Sequence, residues 1–272
     1  MGTILNNPIK KDIFSLKDIE SRIHKLANRK AKDIEWYQAE IFKMGRSILI
    51  PHLHNLINLE VKHGFPKPWT QSHIVLIFES GDKNVPSNYR NIMTSHILAK
   101  LYGLILEKKI SLWLESHGKR DKEKFGFRRP HSTIAHLVTL RIIAEEFQNS
   151  KINLFYFFLD FRKKLDIVLW DKLWEILEEI MVLPELRIFV IHLYETVVSK
   201  LNTNKGWYKY IKCNIWVKQG CPLFPTLFGI YIDKLEKCLE TASCKETKLV
   251  GIIITLLLYD NDIVLLSEAM MT

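Results

Sequence analysis

The chain has 272 residues, 47% of them hydrophobic and 25% charged, a balance that supplies a sizeable core and excludes a disordered tail. Its formal net charge of +9 favours a polyanionic partner, nucleic acid before membrane. The four cysteines, Cys213, Cys221, Cys238 and Cys244, match no CxxC pair or zinc-knuckle spacing and read as reduced intracellular thiols.

Taken in chain order, the segment to about His63 mixes basic and apolar residues at helical spacing. Ile19, Ile23 and Leu26 fall on one face, and Ile41, Met44, Ile48 and Leu49 predict a second helix. Pro66, Pro68, Gly81, Asp82, Pro86, Ser87 and Asn88 then punctuate a loop-rich stretch that holds one short strand, His73–Phe78. A long amphipathic helix is expected from Ser95 to His117, with Leu98, Leu101, Ile105, Ile110 and Leu114 inward and Gly118 ending it.

Asp121–Arg129 reads as a charged loop, and Ser132 begins another helix. The most strand-like run is Leu154–Phe161, apolar at nearly every position, as expected of a strand covered on both faces, with Asp160 at its end. Helical patterns dominate from Asp166 to about Ser199. A strand around Ile211–Val217 leads through a Gly-Pro loop into a helix, Leu227–Leu239. The last pattern is Gly251–Tyr259, then Asp260-Asn261-Asp262, then Ile263–Ser267: two apolar runs split by turn-prone residues, a β-hairpin. The apolar stretches Leu154–Leu159 and Gly251–Leu258 are too short to cross a bilayer, so no membrane partner is expected. Met1 opens into Asn, Pro and Lys residues with no apolar h-region, so the expected location is intracellular, nucleus and cytoplasm both being open.

Two acidic positions stand at the ends of apolar strands, Asp160 and the Asp260/Asp262 cluster. Carboxylates converging from two strands are what a two-metal phosphoryl-transfer site needs, one Mg²⁺ activating a 3′-hydroxyl and the other neutralising a leaving pyrophosphate. Spacing alone favours a plainer reading, in which Asp160 caps a helix and the hairpin acids make a turn.

Longer motifs change that weighting. Phe157-Phe158-Leu159-Asp160-Phe161-Arg162-Lys163-Lys164-Leu165-Asp166 resembles F-x-D-F-x-K-A-F-D, the first palm motif of reverse transcriptases from non-long-terminal-repeat (LINE-type) retrotransposons. Val217-Lys218-Gln219-Gly220-Cys221-Pro222-Leu223-Phe224-Pro225 resembles their V-K-Q-G-C-P-L-S-P, and Leu258-Tyr259-Asp260-Asn261-Asp262-Ile263-Val264-Leu265-Leu266 resembles L-Y-A-D-D-I-V-L-L. Upstream, Pro68-Trp69, Ile74–Phe78, Gly81-Asp82 and Ser87-Asn88-Tyr89-Arg90 are similar to the finger segment W…I-V-P-I-F-K-x-G-D…S-N-Y-R-P-I-S. Gly126-Phe127-Arg128 and His131-Ser132-Thr133 resemble G-F-R-x-x-x-S-T. The motifs keep the family's order and spacing from about residue 15 onward.

The resemblance implies RNA-directed DNA polymerase activity with two Mg²⁺ ions, an RNA template, a DNA primer and deoxynucleoside triphosphates. It gives Asp160 the first catalytic carboxylate, with the Phe161 backbone carbonyl and Asp262 as further metal ligands. Gln219 and Gly220 would lie in the loop beneath the incoming base pair, where a backbone in close approach leaves no room for a Cβ. Leu165 stands where the family has an aromatic that packs on the sugar and screens for deoxyribose. Arg90, with Lys100, is a candidate for gripping nucleotide phosphates, since a guanidinium makes bidentate charged hydrogen bonds; a solvated loop charge fits Arg90 equally.

The chain departs from the pattern at key positions. Asn261 replaces the family's first hairpin Asp, and Asp260 replaces its Ala. Asn offers a carbonyl oxygen but no charge, so metal affinity and transition-state stabilisation should both fall. Leu165, Lys164, Phe224, Asn91 and Glu79 also differ from the family's residues. These changes imply a degenerate, catalytically impaired copy, the alternatives being a non-catalytic RNA-binding remnant or an unexpressed relic. The expected fold is α+β: a fingers/palm fragment of a right-hand polymerase with a small antiparallel palm sheet packed on helices. Residues 1–150 would form an N-terminal extension and fingers, and 151–272 a palm that ends after the catalytic hairpin, with the thumb absent.

Overall fold

The structure, a computed structural model, describes residues 13–119, 133–160, 168–195, 198–203, 206–212, 221–241, 248–249, 252–253, 256–259 and 262–267. Helices α1 (Leu16–Ile23), α2 (Ala39–Met44), α3 (Arg46–His63) and α4 (Lys67–Thr70) lead into strand β1 (Gln71–Phe78), a 3₁₀ turn at Pro86–Asn88 and β2 (Tyr89–Ser95). Helices α5 (Ile97–Ser116) and α6 (Thr133–Asn149) precede β3 (Phe155–Asp160). Then come α7 (Trp170–Glu179), α8 (Pro184–Glu195), the hairpin β4 (Val198–Thr203) and β5 (Gly206–Lys212), and α9 (Phe224–Thr241). Four short strands follow: β6 (Lys248–Leu249), β7 (Ile252–Ile253), β8 (Leu256–Tyr259) and β9 (Asp262–Ser267). The fold is thus a mixture of helices and small sheets, as expected from the sequence.

The contacts divide the chain into two compact units. The first comprises residues 1–109, 185–214 and 218–223, and the second 110–184, 215–217 and 224–272. In the first unit, β2-β1-β4-β5 form a mixed sheet, with β1 antiparallel to β2 and parallel to β4. The buried Ser72 and Ser199 hydroxyls meet at 2.6 Å across the parallel pair, satisfying two polar groups that burial would otherwise penalise. Tyr102 on α5 stacks edge-on against Phe14, and Phe14 in turn packs on Phe189 of α8.

α1 forms because its start is doubly capped. Ser15 accepts from the Asp18 backbone N–H, and the Asp18 carboxylate accepts from the Ser15 N–H and hydroxyl, a reciprocal capping box. Ile19, Ile23 and Leu26 are buried, as their spacing predicts. The second helical pattern behaves differently. Gly45 falls between α2 and α3, and Ile41, Met44 and Ile48 are exposed while Phe42, Leu53 and Ile57 are buried. The predicted helix is present over this pattern, divided at Gly45.

α5 follows its predicted pattern: Leu101, Ile105, Ile110 and Leu114 are buried, and Gly118 adopts φ +62°, the left-handed geometry that ends helices. Its N-terminus is capped by His96, whose Nδ1 accepts from the Leu98 N–H at 3.2 Å, and by the distant Asp33, whose carboxylate accepts from the Ile97 N–H at 2.9 Å. Burial pushes the His96 pKa below its usual 6.5, partly opposed by Asp33 and Glu35. A depressed histidine pKa contributes stability that is complete above about 6.5 and is lost as pH falls through the folded-state value. His96→Asn, which keeps a capping acceptor but cannot titrate, is therefore expected to flatten the decline in unfolding midpoint between pH 7.5 and 5.5. Identical pH profiles for the two proteins would overturn this.

In the second unit, β3-β9-β8 form a three-stranded antiparallel sheet. Its core centres on the middle strand: Leu266 of β9 is fully buried against Ile143 and Phe147 of α6, with Val264, Leu140 and Leu154 around them. The expectation that β3 is covered on both faces is corrected here. Phe157 and Phe158 are 57% and 68% exposed: among the described residues β3 is an edge strand, and α6 seats on its neighbour.

Candidate active site

Asp160 is the last residue of β3 and Asp262 the first of β9, and the antiparallel register sets them directly opposite one another. Opposed positions share a face of the sheet and have Cβ atoms about 4.5–5.5 Å apart. The chain thereby brings together two aspartates separated by some hundred residues of sequence. Asp262 also closes the hairpin opposite Tyr259, which leaves positions 260 and 261 between the two strands.

Packing explains why the register holds. Leu266 lies opposite Tyr156 on the same face as the acid pair, and its burial against Ile143 and Phe147 pins that face. A slip of one residue would turn Leu266 away from α6 and take Asp262 to the other face of the sheet. The apolar end of β9 thus positions its acidic end.

Of the remaining candidates, Phe161, Leu165, Gln219, Gly220 and Asn261 lie outside the described residues, as does Asp260. Arg90 and Lys100 belong to the first unit. Arg90 is the second residue of β2, opposite Ile77, and Lys100 is a half-buried residue in the first turn of α5. Arg90 and Ser95 stand near opposite ends of β2, about 17 Å of strand apart, so Lys100 follows the end away from Arg90. Arg90 is not an unpaired loop charge: its Nε meets the Glu79 carboxylate at 2.6 Å, with both side chains about half exposed.

The loop between β1 and β2 gives a structural reason for the Gly-Asp…Ser-Asn-Tyr-Arg spacing. Gly81 has φ +90°, and a Cβ there would sit 2.6 Å from the Asn88 amide nitrogen. That amide donates to the Asp82 carbonyl, the Asp82 carboxylate accepts from Asn84, and the Tyr89 hydroxyl donates to the Lys83 carbonyl. The Glu79 N–H donates to the Asn88 carbonyl, so the loop ends are joined immediately beside Arg90. Sequence reading noted Glu79 as a departure but missed its partner, because the pairing exists only once β1 and β2 are in register.

The motif order, the opposed aspartates and the braced loop all point one way, and comparison decides it. The reverse transcriptase (RNA-dependent DNA polymerase) family matches residues 81–271, most of the chain. The chain belongs to that family. This reverse transcriptase domain is similar to the retrovirus-related Pol polyprotein from type-1 retrotransposable element R2 of Popillia japonica, at 26% identity over 221 residues. That alignment covers 78% of this chain and 30% of the relative. The corresponding R2 polyprotein of Nasonia vitripennis is 23% identical over 219 residues, covering 79% of this chain and 21% of the relative. The chain spans less than a third of the length of either relative. These similarities make it a reverse transcriptase domain of the non-long-terminal-repeat kind. Among the described residues no helix is long and apolar enough to cross a membrane.

Proposed function

We propose that the chain is the fingers and palm portion of an RNA-directed DNA polymerase, with Asp160 and Asp262 as its surviving catalytic carboxylates and Asn261 as a lesion that impairs catalysis. The observation that carries this reading is the register that sets Asp160 opposite Asp262 at the end of the β3–β9 pair. Two like charges at directly opposed positions are destabilising by themselves, and a cation held with them removes that cost.

Two carboxylates at directly opposed positions of neighbouring strands are hard oxygen donors of the kind Mg²⁺ takes, so the residues present fit the metal. Asp160, the Phe161 backbone carbonyl and Asp262 would hold it. Bound there, Mg²⁺ would supply Lewis-acid activation of a primer 3′-oxygen and charge neutralisation for the leaving pyrophosphate. The chain's own residues do the rest. Arg90 and Lys100 would bind the phosphates of the deoxynucleoside triphosphate. Gln219 and Gly220 would support the templating base pair, and Leu165 would take the place of the sugar-screening aromatic. The functional division into fingers at 1–150 and palm at 151–272 is one of motif content, whereas the two compact units are drawn by contacts. The net charge of +9 suits an RNA template and a DNA primer.

Primer extension on a short RNA template with Mg²⁺ tests this. Trace incorporation is expected from the unaltered chain, and none from Asp160→Asn. Vigorous incorporation by the unaltered chain would overturn the impairment, and incorporation unaffected by Asp160→Asn would overturn the site.

A further inference from the structure

The Glu79–Arg90 pair carries a consequence for nucleotide binding. Glu79 follows the last residue of β1 and its backbone N–H donates to the Asn88 carbonyl, in a loop braced by the Asn88–Asp82 and Tyr89–Lys83 hydrogen bonds, so it is anchored one residue from Arg90's neighbour Tyr89. The carboxylate takes the Nε side of the guanidinium at 2.6 Å.

Two effects oppose each other. Holding the guanidinium in one orientation favours ligand binding, but an exposed pair of this kind contributes at most about a fivefold preference. A fixed negative charge beside the fork repels a triphosphate, which carries several negative charges. At about 6 Å in a water-like dielectric, after screening at physiological salt, that repulsion is on the order of tenfold. Repulsion wins. We infer that Glu79 is a built-in competitor for the phosphate site at Arg90, a residue that lowers the affinity of this chain for nucleoside triphosphates. The inference rests on the reading of Arg90 as a phosphate-binding residue.

The test measures binding of inorganic triphosphate to the full chain by calorimetry at low and physiological salt, for the unaltered protein, Glu79→Gln, Arg90→Gln and the double variant. Both side chains are half exposed, and unfolding midpoints confirm that each variant is folded. Glu79→Gln is expected to tighten binding about two- to tenfold, the tenfold repulsion less an orienting preference of up to about fivefold, with a smaller gain at higher salt. Arg90→Gln is expected to weaken it, and Glu79→Gln should give no gain in the Arg90→Gln background. If Arg90→Gln weakens binding while Glu79→Gln leaves it unchanged or weaker, the competitor role falls and Arg90's role stands. Equal tightening by Glu79→Gln with or without Arg90 would also overturn the competitor role, because the effect would not act through Arg90. If Arg90→Gln leaves binding unchanged, the reading of Arg90 falls and the inference with it.

Discussion

Asn261→Asp is expected to raise Mg²⁺-dependent extension of a primer on an RNA template by about 100-fold or more over the unaltered chain. Electrostatic groups aimed at developing charge in a transition state contribute roughly 10²–10³ in rate, and an amide in place of a carboxylate withdraws one full charge from a site built around dications. Asp160 and Asp262 are opposed by the β3–β9 register, so the restored residue would enter a pair already in place. Asp160→Asn in the Asn261→Asp background is expected to return extension to the level of the unaltered chain. If Asn261→Asp brings no gain, Asn261 is not the controlling lesion, and departures such as Leu165 and Phe224 take its place. Asp260 is not expected to substitute, since a displacement of about 1 Å at the chemistry can cost roughly 100-fold. Asp260→Ala in the unaltered chain should accordingly leave the trace activity as it was.

The largest effect on stability is expected at Asp18→Ala, with a loss of about 2–4 kcal/mol in urea denaturation. One carboxylate closes the capping box of α1 and also meets Lys109 at 2.9 Å and Lys108 at 3.4 Å on α5. Removing it uncaps the helix and strips two ammonium groups of their counter-charge at a largely buried position. Burial of the carboxyl opposes its ionisation, yet the hydrogen bonds from Lys109 and Ser15 outweigh that and lower its pKa from 3.8 to about 2. The sign follows from the depressed value: the contribution is complete above about 3.8 and is lost as pH falls toward 2. Asp18→Asn keeps the shape and loses the charge, so it should flatten the acid limb of the stability profile in that window. A variant as stable as the parent at neutral pH, or an unchanged acid limb, would show that the cluster is too solvated to matter.

Local patterns made much of this molecule legible. The long α5 helix and its Gly118 terminus, the β1 strand and the closing hairpin all follow from periodicity and turn chemistry, which act over a few residues. The family, too, could be read from ordered motifs, because those residues are set by the chemistry they resemble. Asp160 and Asp262 could be named as candidates from the sequence, though spacing alone would have assigned them to a cap and a turn.

What only the tertiary structure decided is which of these residues meet. The opposition of Asp160 and Asp262 depends on a strand register set by burial of Leu266 under α6, a contact between segments more than a hundred residues apart. The Glu79–Arg90 pair depends on the β1–β2 register, and the burial of Phe42, Leu53 and Ile57 rather than Ile41, Met44 and Ile48 on which neighbours α2 and α3 meet. In β3, apolar sequence meant a strand, but its exposure was decided by its place at the edge of the sheet. Hydrophobicity in the sequence says that a side chain favours burial; only the arrangement of neighbouring elements determines whether a partner is there to bury it.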